Sequence, residues 1–261
     1  MTMEIKAVFF DIDGTYFDHT SNQVLPQSKV AVKSLKENGY KVALCSGRAL
    51  VMAQKVPVFD DIAWDGFIGG GGNFVYDKDD HLLWENAFTK SQLEEIFRIG
   101  KKHHLAMFVT GESIFLTRDL TKEEEQLLDI FHMEKPKHIH DWNGEEVHML
   151  SIITEKGFDF SIFDHIPNIL LQASCDEIID LVVANGNKAK GISHLLTHLG
   201  IEQGAYVAFG DNLNDVEMLE EAAIGVAMGN CTPSLKDHAD RVCAPSNEPG
   251  IYDTLKELGL I

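Results

Sequence analysis

Two aspartates stand two residues apart in Asp11-Ile12-Asp13-Gly14-Thr15, immediately after the apolar run 6–10 (KAVFF). Side chains along a strand alternate, so Asp11 and Asp13 are expected to point the same way at the strand's end. Two carboxylates held together repel unless a cation or a shared proton relieves them. Such a pair suits divided chemistry, with one carboxylate attacking and the other moving protons. Gly14 lets the backbone turn and offer its amides to an anion. An acidic turn that merely closes a strand uses the same residue types. Ser46-Gly47-Arg48 follows a second apolar run, 41–45 (KVALC). A hydroxyl, a glycine amide and a helix start can together hold a phosphate, although Ser-Gly-Arg is also an ordinary loop-to-helix junction.

A third run, 206–210 (YVAFG), leads into Asp211-Asn212-Leu213-Asn214-Asp215. Asp211 falls at the strand end, and Asp215 shares its face if a helix has begun there. Asn214 or Asp215 taken singly reads equally well as a helix cap. A second strand ending in carboxylates suits a hard cation such as Mg²⁺, which keeps waters and binds phosphate oxygen. Lys188 and Lys190 stand in Gly186-Asn187-Lys188-Ala189-Lys190-Gly191, just before an amphipathic stretch at 192–199. A lysine there can pin a carboxylate and a phosphate together, while one of the two is expected to be a solvated surface charge.

The elements that position these residues follow from periodicity. Residues 26–38 have helical spacing, a proline near the start and Gly39 after the end. Strand, helix, strand at this spacing is a βαβ unit, so the sheet is expected to be parallel. Residues 67–76 (FIGGGGNFVY) read as a strand interrupted by four glycines, 224–228 and 241–243 as short strands, 215–222 and 250–260 as helices. From about 82 to 187 the alternation loosens. Helical stretches at 90–103, 121–131 and 158–165 mix with strands at 106–109, 113–116, 147–154 and 178–183. Seven of the 12 histidines fall there: His103, His104, His132, His138, His140, His148 and His165. The pattern reads as an inserted α+β domain of a plausible size.

The chain has 261 residues, 44% hydrophobic and 24% charged, an ordinary globular composition. No apolar run reaches the roughly 18 residues of a membrane span. Residues 1–14 do not read as a secretion signal, because a short apolar stretch runs straight into acids. Cys45, Cys175, Cys231 and Cys243 are scattered with no metal-finger spacing. They read as thiols of a reducing compartment, and a cytoplasmic location is expected. A net charge of −19 repels nucleic acid and anionic membranes, so neither is an expected partner. It repels phosphorylated substrates as well, so any phosphate site must create positive potential locally.

With its four motifs in this order, the chain resembles the haloacid dehalogenase (HAD) superfamily, and within it the Cof-type phosphatases with a C2 (IIB) cap. The resemblance runs essentially the whole length. It implies an α/β fold with a Rossmann-like parallel-sheet core and an inserted α+β cap domain. DIDGT matches the first motif, implying Asp11 as nucleophile and Asp13 as general acid/base. Ser46 with the Gly47 amide matches the second, a phosphate clamp. Lys188 fits the third through K-x-x-G-I-x-x-L, Lys190 being the less favoured register. G-D-x-x-N-D matches the fourth, with Asp211 as a metal ligand and Asn214 and Asp215 supporting. The implied phosphate-binding set is Asp13, Gly14, Ser46, Gly47 and Lys188. The implied metal set is Asp11, the Asp13 backbone carbonyl and Asp211, holding Mg²⁺. Only 35 residues separate Asp11 from Ser46, but 142 separate Ser46 from Lys188, so the cap must enter in the second interval. The expected division is a discontinuous core, 1–82 and 188–261, with a cap at 83–187. Relatives often carry leucine where this chain has Tyr16-Phe17, and many have Asn-Gly-Ala where it has Gly69–Gly72 and then Asn73.

The function implied is Mg²⁺-dependent hydrolysis of a small phosphorylated metabolite, sugar phosphates first, through an aspartyl-phosphate. A phosphotransferase or phosphomutase would use the same intermediate and differ only in its acceptor. A regulatory protein that kept the fold without catalysis is disfavoured, because every expected catalytic position is filled. His103-His104 and His138-x-His140 have ligand-like spacing, but surface histidines are ordinarily just solvated.

Overall fold

Apolar strands alternating with helices lay out the first part of the chain in the computed structural model, which describes residues 4–111, 113–130, 134–173 and 176–261. β1 (Ala7–Phe10) leads through a small hairpin, β2 (Phe17–Asp18) and β3 (Gln23–Val24), into α1 (Pro26–Glu37). Pro26 opens α1 where a missing N–H leaves no hydrogen bond unmade. Then come β4 (Lys41–Cys45), the short α2 (Leu50–Ala53), β5 (Gly66–Gly69), a helical turn at Gly70–Gly72, β6 (Phe74–Asp77) and β7 (Leu82–Glu85).

The inserted segment runs α3 (Lys90–Lys102), β8 (Ala106–Gly111), β9 (Ile114–Leu116), α4 (Lys122–Ile130), β10 (His138–Ile139), β11 (Val147–Ile153), β12 (Ile169–Ala173) and β13 (Ile178–Val183). The chain returns through α5 (Lys188–Leu199), β14 (Tyr206–Gly210), α6 (Val216–Glu220), β15 (Ile224–Ala227), β16 (Arg241–Val242) and α7 (Gly250–Glu257). Two compact units result, Met1–Glu85 with Gly186–Ile261, and Asn86–Asn185.

The first unit is built on a sheet of order β16-β15-β14-β1-β4-β5-β6-β7. Its first six strands are parallel, and β6 and β7 run antiparallel. Every residue of β1, β14 and β5 is buried, as strands covered on both faces require. Ala7 and Phe9 pack with Ile192, Leu195 and Leu196 of α5 and Met218 and Leu219 of α6. Val8 and Phe10 point to the opposite face, where α1 packs against α7.

The second unit has a sheet of order β10-β9-β8-β11-β13-β12, antiparallel except for the β9–β10 pair. One stripe of α3 (Leu93, Ile96 and Ile99) packs with Met107 and Val109 of β8 and Leu150 and Ile152 of β11. A capping box between Thr89 and Gln92 starts this helix.

Several elements differ from the sequence reading. Residues 67–76 form two antiparallel strands about a glycine turn, since the left-handed φ at Gly70 to Gly72 reverses the chain. The helix expected at 192–199 starts at Lys188, because the Asn187 side chain accepts the Lys190 N–H at 2.9 Å and caps it there. Residues 158–165 hold only the turn Phe160–Phe163. The strand Ile169–Ala173 was not expected at all. Phe131, His132 and Cys175 lie outside the described residues.

Candidate active site

β1 lies between β4 and β14, and the chain reaches these neighbours in opposite directions. This is a topological switch point, where ligands of open parallel sheets gather outside the carboxyl ends of the strands. Asp11, Ser46 and Asp211 each follow the last residue of one of these three strands. β1 itself ends at Phe10, so Asp11 and Asp13 sit in the following loop, not on the strand. Each has its own cation there, Lys188 for Asp11 and Arg48 for Asp13.

Asp11 is buried, and its N–H donates to the Phe209 carbonyl at 2.9 Å. Its Oδ1 accepts from Lys188 Nζ at 2.5 Å, and the same ammonium donates to Asp215 Oδ1 at 2.5 Å. Lys188 is the first residue of α5 and is itself buried. Burial disfavours its charge, but Asp11 and Asp215 outweigh this and hold the ammonium firmly protonated. Burial lifts the Asp11 carboxyl well above its usual range, opposed by Lys188 and reinforced by Asp215, Asp211 and Asp13. Lys190 is exposed, so Lys188 is the lysine that reaches the site.

Asp215 resolves the choice between cap and site residue by doing both. Its Oδ2 accepts the N–H groups of Asp211 and Asn212 at 2.9 and 3.0 Å, while Oδ1 orients Lys188. The residues involved form the turn Leu213–Asp215, with α6 starting only at Val216, so Asp215 does not share a helical face with Asp211.

Asp13 takes a bidentate pair from Arg48, Nε to Oδ2 and Nη2 to Oδ1, both at 2.7 Å. His19 Nε2 lies 2.8 Å from the same Oδ1. Burial alone would raise the Asp13 carboxyl, but His19 and Arg48 outweigh it and hold it far below the usual range. Neither partner stood out in the sequence. Arg48 closes the Ser-Gly-Arg motif, which was its one available signal, and His19 had none.

Asp211 is half-buried, and its Oδ1 accepts from the Thr15 hydroxyl at 3.3 Å. Burial, with Asp215 adding to it, raises its carboxyl to about 6. Gly14 (φ +79°) packs against it so closely that a Cβ would stand 2.3 Å from Asp211 Oδ2. Carboxylate oxygens of Asp11, Asp211 and Asp215 lie within 4.8 Å of one another. This all-oxygen donor set fits a hard divalent cation. Asp215 has both oxygens engaged already, whereas no hydrogen bond among the described residues uses Asp11 Oδ2, Asp211 Oδ2 or the Asp13 carbonyl. The exposed group Asp77, Asp79 and His81 also converges, but Asp77 spends its oxygens on the N–H groups and ring of its own turn.

Ser46 is buried, and its hydroxyl accepts the Arg48 N–H at 3.1 Å, leaving its proton to donate. A Cβ on Gly47 would lie 3.9 Å from Asn214 Nδ2, so the second and fourth motifs face each other. Two further contacts brace the site from afar. Asn230 donates to the Gly14 carbonyl at 2.8 Å and accepts the Ser246 N–H at 2.9 Å. The Gly72 backbone lies so near the start of α5 that a Cβ would stand 1.9 Å from the Asn187 carbonyl oxygen. The histidines of the inserted unit form no metal-like group among the described residues; His140 stacks on Phe115 and His148 bonds Glu146.

Residues 8–255 match the family of haloacid dehalogenase-like hydrolases. YkrA of Bacillus subtilis (strain 168) is 29% identical over 272 residues, covering 99% of this chain and 100% of YkrA. The 5-amino-6-(5-phospho-D-ribitylamino)uracil phosphatase YitU of the same organism is 26% identical over 278 residues, covering 98% of each. The solved structure of BT1666 from Bacteroides thetaiotaomicron, analysed among the phosphatases of the HAD superfamily, superposes with a TM-score of 0.86 at 25% identity, covering 99% of this chain and 96% of that one. No described helix is long and apolar enough to cross a membrane. With these matches running nearly end to end, the chain belongs to the haloacid dehalogenase-like hydrolases and is a phosphatase of the Cof type.

Proposed function

We propose that the chain hydrolyses a small phosphorylated metabolite, a sugar phosphate first, through an aspartyl-phosphate formed on Asp11 with Mg²⁺ bound. The observation that carries this reading is the buried Lys188 ammonium held 2.5 Å from both Asp11 and Asp215. It places fixed positive charge against a nucleophile, which an acidic chain needs before it can admit a phosphate. Asp11, the Asp13 carbonyl and Asp211 would hold the metal, with Asn214 and Asp215 supporting. The metal would supply electrostatic relief between the anionic nucleophile and the anionic ester.

Asp13, a carboxylate beside Arg48 and His19, first takes up a proton from water; Asp11 Oδ2 then attacks phosphorus in line, the ester P–O bond breaks, and the leaving oxygen takes that proton from Asp13. Water then attacks the phosphoryl group, the bond from Asp11 to phosphorus breaks, and Asp13 takes the water proton. Ser46, Gly14, the Gly47 amide and Lys188 hold the phosphoryl oxygens. Residues 1–82 and 188–261 act as the catalytic core, and 83–187 as its cap domain. YitU is named for a substrate carrying a phosphate on a ribityl chain, a primary alkyl ester, which supports beginning with sugar and sugar-alcohol phosphates.

The test is phosphate release from a panel of sugar phosphates, nucleotides and pyridoxal phosphate, without any sugar acceptor, with Mg²⁺ and with EDTA. Release is expected to need the metal and to vanish in Asp11→Asn with the fold retained. Turnover in a clean Asp11→Asn preparation would sink the proposal. A requirement for an acceptor would convert it to a phosphotransferase.

A further inference from the structure

His19 belongs to none of the motifs, yet it completes the surroundings of Asp13. A carboxylate has about four lone-pair positions, two on each oxygen. Arg48 takes one on Oδ2 through Nε and one on Oδ1 through Nη2. His19 Nε2, at 2.8 Å, takes the second position on Oδ1. One lone pair on Oδ2 is left.

His19 is itself well placed. Its ring stands edge-on to Phe17, centroids 5.1 Å apart and 86° between planes. It follows Asp18, the last residue of β2. Asp18 is buried, and it accepts the Ser21 N–H at 2.7 Å, the Ser21 hydroxyl at 2.6 Å and the Ser246 hydroxyl at 3.0 Å. The hairpin that carries His19 is thus bolted to a loop near the end of the chain. The His19 ring is about half exposed, at 47%. An exposed pair like this adds little to stability. Its consequence is directional: with Oδ1 saturated, the carboxyl has one lone pair, on Oδ2, left for a proton.

We infer that His19 is a positioning residue, which together with Arg48 orients Asp13 so that Oδ2 is the oxygen that gives and takes the proton. The inference rests on the proposed role of Asp13 in proton transfer. Proton delivery matters most where the leaving oxygen is a poor leaving group, so the loss on removing His19 must depend on the ester.

The experiment compares single-turnover release of the leaving group from 4-nitrophenyl phosphate and from an alkyl phosphate that the wild type hydrolyses. His19→Ala is expected to slow the alkyl ester about tenfold and the nitrophenyl ester no more than about twofold, with KM nearly unchanged. His19→Gln, whose amide N–H can donate to Oδ1, is expected to recover most of the loss. Equal losses on both esters, a loss confined to KM, or no loss overturns the inference. Asp11→Asn and Asp13→Asn run alongside. An active Asp11→Asn overturns the underlying reading as well. An inactive Asp11→Asn, an ester-dependent Asp13→Asn and an indifferent His19→Ala overturn this inference alone.

Discussion

The two units of the chain treat charge differently. In the first, Lys188, Asp11 and Asp215 are buried together in direct contact. In the second, the ion pairs stay at or near the surface: Arg98 with Glu95, Lys101 with Asp141, and Arg118, about a third exposed at 32%, with Glu124. Taking charge out of water costs several kcal/mol per ion, so a fold does it only where partners are assembled around each group. In this protein that place is the carboxyl edge of the parallel sheet, where three strand ends and a helix start supply the partners at once. The described residues of the antiparallel insert have no such convergence, and where Glu124 is buried its partner Arg118 still reaches solvent.

The sharpest test of this contrast removes the central cation. Lys188→Met leaves Asp11 and Asp215 buried without their partner, and a loss of about 3–5 kcal/mol is expected in urea denaturation. Phosphatase activity should fall about 10³-fold or more. A variant as stable as wild type would mean that the buried trio is not what it looks like. The next test moves the helix that carries the lysine. Gly72→Ala must push the added methyl into the Asn187 carbonyl at 1.9 Å, whereas Gly71, with φ +66°, faces open space. Gly72→Ala is expected to cost about 3 kcal/mol and Gly71→Ala about 1, with activity lost only in the former.

Asp65 is a mild version of the same burial. Lys36 at 2.8 Å, the Val42 N–H at 3.1 Å and Lys41 at 3.0 Å outweigh the burial that would raise its carboxyl, and its pKa is lowered. A carboxyl lowered in the folded state adds stability that is complete above its unfolded value of about 3.9 and fades as pH falls. Wild type should therefore exceed Asp65→Asn by about 1 kcal/mol at neutral pH, with the gap closing in acid. A gap independent of pH would assign the loss to packing.

Tyr16 is, with Ser113, one of two described residues with a buried side-chain oxygen that lacks a partner. Its hydroxyl is buried among Phe10 and Trp64 with no hydrogen-bond partner among the described residues. Tyr16→Phe is expected to stabilise the protein by up to about 1 kcal/mol, read as a higher urea midpoint. Least of all should follow from Arg98→Ala in the insert, where an unchanged midpoint is expected and a clear drop would break the contrast between the units.

Much of the first unit was legible because its signals are local. The apolar runs before Asp11, Ser46 and Asp211 are strands in the structure, and the residue after each run falls in the candidate site. Glycine misled the reading where its backbone freedom mattered. Gly70 to Gly72 reverse the chain into a hairpin, and nothing in the spacing distinguishes a reversal from an interruption. In the insert, β12 escaped notice because a short edge strand carries little periodicity.

By itself, the sequence determined the order of the motifs, the βαβ start and the family resemblance, since periodicity and turn chemistry act over a few residues. Tertiary structure decided which group faces which. Asp11 and Asp13 are neighbours with identical side chains, yet one meets Lys188 from 177 residues away and the other meets Arg48 and His19. The Asn230 and Ser246 contacts that brace Gly14 and Asp18 span 216 and 228 residues. Such pairings depend on how strands order themselves in the sheet, and short-range pattern does not encode them.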